Sequence, residues 1–272
     1  MRTKQRISHL ALALLIAGCE TAGVVPPSSP VLGLPSSSLP PAHVGDIARF
    51  RVRNAYNGES LGEAQYRVDK IDGGYVFVGV STNSPYVGSP RTEIYTAEGN
   101  WLRHVLLNHD QAVDYEFAPP YPAYLFPLEA GKAWSVRVNA RNLQTGRTNS
   151  VRVDAEVIGG ERIMTEAGAF DVVKIRRRIY AGDWDGFLRE TNIAEFDWFA
   201  PELGRSVRFE SNSNWLDMSR SPGGGGMFGG MFNNNQLMRG DWRVFELLSY
   251  RIAGKSGGGA PELTTPAPPS QR

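Results

Sequence analysis

Cysteine is almost missing from this chain: Cys19 is the single one in 272 residues. That excludes an internal disulfide and any cysteine-rich zinc site. Long apolar runs are missing too. The longest, Leu10 to Ala17, has eight residues and reaches only about 12 Å as a helix, against a hydrocarbon core of about 30 Å. Charge of one sign is not in excess. Lys and Arg number 29 against 28 Asp and Glu, a formal net charge of +1, so there is no electrostatic case for nucleic acid as a partner. What remains is a chain long enough to bury a large core, with 41% hydrophobic residues. About half of its 30 glycines and 18 prolines crowd into the two tails and an insert.

The N-terminus has the three parts of an export signal. Arg2, Lys4 and Arg6 are followed by the apolar run and then by Gly18-Cys19. Leu15-Ile16-Ala17-Gly18-Cys19 resembles the bacterial lipobox, an aliphatic residue and two small ones before a cysteine. The resemblance implies that residues 1–18 are a lipoprotein signal peptide cut before Cys19. The cysteine would then be diacylated and its new amine acylated, with palmitate the usual type of chain. Two or more acyl chains anchor stably, at roughly 0.8 kcal/mol per buried CH2, where one chain does not. Glu20 follows the cysteine. Enterobacterial lipoproteins kept in the inner membrane favour Asp there, so the resemblance points to the periplasmic side of the outer membrane. Cleavage removes Arg2, Lys4 and Arg6 and no acid, leaving 26 basic against 28 acidic residues.

From Cys19 to residue 43 the sequence is dominated by Pro, Ser and small residues, a composition that favours extended, semi-rigid or disordered chain. It reads as a tether. Residues 254–272 mirror it as a disordered tail. Between them, 44–253 reads as one β domain. Trp134, Val136, Val138 and Ala140 alternate with Ser135, Arg137 and Asn139, and Val151, Val153, Ala155 and Val157 alternate with Arg152, Asp154 and Glu156. Period-two alternation of this kind marks strands with one face in a core and one in water. Asn57-Gly58, Asp72-Gly73-Gly74, Thr145-Gly146, Gly159-Gly160 and Asp185-Gly186 punctuate them as turns. The expected class is all-β: antiparallel sheet, with two tandem meanders packed as a sandwich or open half-barrel.

The two meanders rest on a weak repeat over 44–117 and 127–210. Gly45-Asp46 before Arg51-Val52 matches Gly131-Lys132 before Arg137-Val138, and Val68-Asp69 with Gly73-Gly74 matches Val153-Asp154 with Gly159-Gly160. Ala118-Pro119-Pro120-Tyr121-Pro122 would join the copies. A last hairpin is expected near Arg205–Asp217 and Leu237–Ile252, enclosing the Gly/Asn-rich insert 221–236 as a mobile loop.

Three further stretches resemble a group of bacterial periplasmic families of unknown function. These are Pro127-Leu128-Glu129-Ala130-Gly131-Lys132-Ala133-Trp134, Glu166-Ala167-Gly168-Ala169-Phe170-Asp171 and Trp198-Phe199-Ala200-Pro201-Glu202-Leu203-Gly204. Glu166 stands where those families carry proline. Their motif residues look structural, and the resemblance carries over no catalytic residue. Trp134 and Trp198 are therefore expected in the core.

The search for chemistry returns little. His9 leaves with the signal and His43 lies in the tether. His104 and His109 are five apart, which in a strand puts them on opposite faces and makes no local metal pair. No Gly-x-Ser-x-Gly elbow occurs. Gly254-Lys255-Ser256 lacks the earlier glycine of a phosphate loop, because Ser249 stands there. Asp183-Trp184-Asp185-Gly186 has too few following acids for a calcium loop and reads as a hairpin tip. Sequence spacing leaves open a carboxylate pair for glycoside cleavage, with Glu190, Glu195 and Asp197 the candidates beside aromatic residues. Arg177, central in Arg176-Arg177-Arg178, shares the face of Val173 and Ile175. It is expected to be paired, to sit at a sheet edge, or to meet an anionic ligand.

Together these observations predict a non-catalytic, lipid-anchored lipoprotein of the bacterial envelope. Cys19 is its lipidation site, and catalytic, metal and cofactor residues are expected to be none. Partners would be the membrane through the anchor and an envelope protein, a glycan or an apolar ligand. An envelope polysaccharide hydrolase is the alternative. A deep apolar cavity would favour ligand carriage over the hydrolase.

Overall fold

The structure, a computed structural model, describes residues 29–31, 38–108, 111–184, 188–217 and 236–253. The signal 1–18, Cys19, His109, nearly all of the insert and the tail 254–272 lie outside the described residues.

Thirteen strands and one short 3-10 turn at Pro85–Val87 make up the described chain. The strands are β1 (Ser29–Val31), β2 (Ile47–Asn54), β3 (Ser60–Asp72), β4 (Tyr75–Thr82), β5 (Arg91–Thr96), β6 (Trp101–Asn108) and β7 (Gln111–Tyr121). They continue with β8 (Ala133–Asn142), β9 (Thr148–Thr165), β10 (Gly168–Trp184), β11 (Leu188–Ala200), β12 (Arg205–Asp217) and β13 (Gln236–Arg251). Every strand from β2 to β13 pairs antiparallel with the next in sequence, and β13 pairs with β2. The protein is all-β and antiparallel, as its alternation predicts. The sheet closes on itself as a twelve-stranded up-and-down barrel, which leaves none of those strands as an unpaired edge.

Alternation decides which face is which. Val151, Val153, Ala155 and Val157 of β9 are buried inside, with Trp134, Val138, Ile175 and Ile179 from its neighbours. Arg137, Arg152, Asp154 and Glu156 point outward, and Arg152 bonds Asp154 at 2.6 Å in solvent. A charged exterior on these strands is the reverse of the apolar outer band of a membrane-spanning barrel. No helix among the described residues is long and apolar enough to cross a membrane. Bulges between Lys174 and Ile175, Trp198 and Phe199, and Asn212 and Asn214 add the curl that closure requires.

The two halves of the barrel start alike. Gly45 and Gly131, with φ of 92° and 82°, each precede the first strand of a set of six. Gly45 N donates to Val68 O and Gly131 N to Val157 O, both at 2.8 Å, while Val68 N and Val157 N return bonds to Asp46 O and Lys132 O. The structural counterpart of Val68 is thus Val157, four residues beyond the Val153 that sequence matching suggests. A longer β9 absorbs the difference.

Two segments depart from the plain tether expected over 19–43. β1 pairs with β9 through Ser29, Pro30 and Val31 against Arg162, Glu161 and Gly160. Residues 38–43 then cross one end of the barrel as a strap, with Leu39 packed against the core cluster. The physical reason is that proline lacks a donor but leaves its neighbours' apolar side chains free to pack. The β9–β10 hairpin tip also folds back onto the barrel. Ala167 N bonds Leu247 O at 3.3 Å, Phe170 meets Tyr250 edge-on, and Glu166 pairs with Arg51.

Candidate functional site

The interior of the barrel holds a partly open cavity of about 250 Å³. Its wall is largely apolar, with Phe50, Val68, Val78, Val87, Val105 and Phe245 among the residues that form it. The strap reaches it through Leu39 and Ala42. Apolar concavities with a few fixed polar groups are the usual form of small-molecule sites.

The first polar group comes from β5, where Arg91, Glu93 and Tyr95 share one face. Glu93 is fully buried. Its Oε1 accepts from Arg91 at 2.5 Å, and its Oε2 meets His104 Nδ1 at 2.8 Å and accepts from the Tyr95 hydroxyl. Burial alone would raise the Glu93 pKa. The charges of His104 and Arg91 and the hydrogen bonds override it and hold the carboxyl well below its ordinary range. His104 lies against Trp101, which stacks on Tyr121 at 4.4 Å.

The second group joins β10, β11 and the loop after β7. Arg177, buried, gives Nη2 to Asp197 Oδ2 at 2.7 Å and to Ala123 O at 3.0 Å. Asp197 also accepts from Tyr124 at 2.8 Å and from Ser206 at 2.6 Å. Both of its oxygens accept hydrogen bonds. Glu195 is different. Its Oε2 lies 3.6 Å from Arg177 Nη1, an ion pair too long for a hydrogen bond, and neither atom has a hydrogen-bond partner among the described residues. Burial and the neighbouring Asp197 push the Glu195 pKa up to about 7, against the opposing pull of Arg177.

The structure therefore brings together three residues singled out in the sequence: Arg177, Glu195 and Asp197. Arg177 is paired rather than placed at an edge. Glu190 belongs to the same strand, and its side chain lies outside the described residues. Glu195 and Asp197 are two apart on one strand and share one arginine, so they stand on the same side of anything in the lumen. A glycosidase pair instead flanks the scissile bond. His104 is hydrogen-bonded, and no group of three metal-ligating side chains occurs among the described residues. Trp134 and Trp198 are 8% and 6% exposed. Trp134 Nε1 bonds Pro122 O at 3.1 Å, and Trp198 bonds Glu161 beneath the cations of Lys174 and Arg208.

Sequence reasoning misses Glu93, Arg91, Tyr124 and Arg205. In Arg91-Thr92-Glu93-Ile94-Tyr95 the polar row points inward, and period two alone does not say which face is inside. A signal did exist in Ile193-x-Glu195-x-Asp197-x-Phe199, where two acids occupy the register of apolar residues.

No protein family and no curated relative matches the sequence. The likeness to periplasmic families thus rests on its three motifs. Two solved structures are similar in backbone. One is a candidate lipoprotein of Parabacteroides distasonis, 15% identical, with a TM-score of 0.45 over 78% of this chain and 97% of that one. The other is a candidate exported protein with a YmcC-like fold from Bacteroides fragilis, 13% identical, with a TM-score of 0.45 over 79% and 99%. At that level the likeness says nothing of what this chain binds.

Proposed function

We propose that this chain is a lipid-anchored envelope protein that binds an apolar ligand inside its barrel and catalyses no reaction. The observation that carries the reading is the cavity of about 250 Å³, with its mainly apolar wall. Arg177, Glu195 and Asp197 serve it as a buried polar brace between β10 and β11. Both Asp197 oxygens are already held by Arg177, Tyr124 and Ser206, and a polysaccharide chain has no room in a cavity of this size. The anchor follows from Cys19 in its lipobox, and Glu20 favours the outer membrane. A tether of mostly Pro, Ser and small residues would let the barrel stand off the bilayer.

The test is binding of a neutral apolar fluorophore, such as N-phenyl-1-naphthylamine. One molecule per chain should bind with enhanced emission, and Val78→Trp, which fills the lumen, should abolish binding in a folded protein. No enhancement in the wild type, or full binding in Val78→Trp, would contradict the reading.

A further inference from the structure

Arg205 opens β12 directly after the turn at residues 201–204, and its side chain lines the cavity. The other guanidinium groups in and beside the lumen have carboxylates of their own. Arg91 has Glu93, Arg177 has Asp197, and Arg243 has Asp241. Arg205 has no hydrogen bond or ion pair from its side chain to any described residue. Asp46, Tyr95 and Tyr124 lie near enough to act on its charge, but none of them hydrogen-bonds it. One Asp46 oxygen accepts from His43 N and the other from Ala253 N, both at 2.8 Å. Arg205 is half-buried; a guanidinium always carries its charge, and partial loss of water against an apolar wall without a partner is costly. Burial accordingly drives the Arg205 pKa down, against the pull of Asp46.

The strap closes this end of the barrel. A Cβ on Gly204 would meet Pro40 at 3.1 Å, and one on Gly99 would meet Leu39 at 3.1 Å and Tyr124 at 3.3 Å. The cavity therefore has a cationic place beneath the strap and an apolar wall beyond it.

We propose that the cavity takes a single-chain amphiphile with an anionic end, a carboxylate or a phosphate, whose charge pairs with Arg205 while its chain lies along the apolar wall. This rests on the ligand-binding reading above and names the ligand class. A volume of about 250 Å³ falls just under the roughly 300–1,000 Å³ usual for ligand pockets, which suits one chain rather than a two-chain lipid. A planar guanidinium matches both anions through paired N–H donors.

Calorimetric titration of the full chain carrying Cys19→Ser, purified without detergent, tests this with decanoate, decyl phosphate and decanol. At least one anion should bind about tenfold or more tighter than decanol. The stronger anion identifies the head group. Arg205→Gln should abolish that preference by weakening the anion to the level of decanol, and Arg205→Lys should restore part of it. Without ligand, Arg205→Gln should melt at or above the wild-type temperature, because it removes an unpaired, half-buried charge from a largely apolar wall. Decanol binding as tightly as both anions, a preference that survives Arg205→Gln, or a ligand-free Arg205→Gln that is destabilised or unfolded would overturn the role of Arg205. Each of those results leaves the apolar-cavity reading standing. If none of the three compounds binds, both readings fall.

Discussion

Arg177 illustrates how a buried charge is tolerated at the scale of one residue. Its guanidinium lies between the rings of Trp101 and Tyr124, at 5.6 and 5.3 Å, and is neutralised by Asp197. Glu195 is the imperfect member, and it has a measurable signature. Its pKa rises from an ordinary 4.5 to about 7 on folding, so the folded state holds the proton more tightly. The resulting penalty is absent below about pH 4.5, grows as pH rises, and is complete above about 7. Urea denaturation across this range should show Glu195→Gln gaining on the wild type as pH rises, by up to a few kcal/mol. A difference that stays constant with pH would refute the assignment. Glu93 acts in the opposite sense, since its pKa is lowered. It contributes stability above its ordinary range, and that contribution is lost on acidification. The comparison of variant with wild type cancels it. Trp134 and Trp198 offer a second test. Both are buried and bonded through their indole nitrogens, so each alanine variant should lose about 3–5 kcal/mol in denaturant unfolding. Near-normal stability of Trp198→Ala would instead mark an exposed platform of the kind that stacks on sugars.

At the scale of elements, strand periodicity was legible and facing was not. The pattern in Trp134–Ala140 and Val151–Val157 predicts strands β8 and β9 because apolar and charged residues segregate cleanly. The hairpin expected near 205–217 and 237–252 is present as β12 and β13. β5 defeats the same rule, since its inward row is Arg91, Glu93 and Tyr95. Barrel closure was not readable either, because the β13–β2 pairing joins residues about 200 apart and depends on twist and bulges that leave no local trace. The strap is a similar case. Leu39 stands between Ser38 and Pro40 in a stretch whose composition reads as linker, yet it lies over the lumen. Leu39→Asp should therefore speed release of a bound fluorophore, by stopped-flow displacement, with little change in the far-ultraviolet spectrum. An unchanged release rate would mean that the strap does not cover the route out. Deleting 221–235 or 256–272 should leave the melting temperature nearly unchanged, because those segments lack the apolar content to join a core. A drop of several degrees would show that they pack.

At the scale of the whole molecule, the barrel and the anchor make separate claims. Cys19→Ser should leave the barrel folded and move the protein out of the detergent-extracted membrane fraction. Mass spectrometry of the wild type should find Cys19 acylated at a new N-terminus, and an unmodified cysteine there would defeat the anchor. Binding inside the barrel is the central claim, and native mass spectrometry of the full-length protein extracted gently from its own membranes tests it most directly. One noncovalent single-chain amphiphile per chain, released on activation, should be present in the wild type and lost in Val78→Trp. A wild-type protein that carries nothing, or a Val78→Trp protein that carries the same ligand, would contradict it.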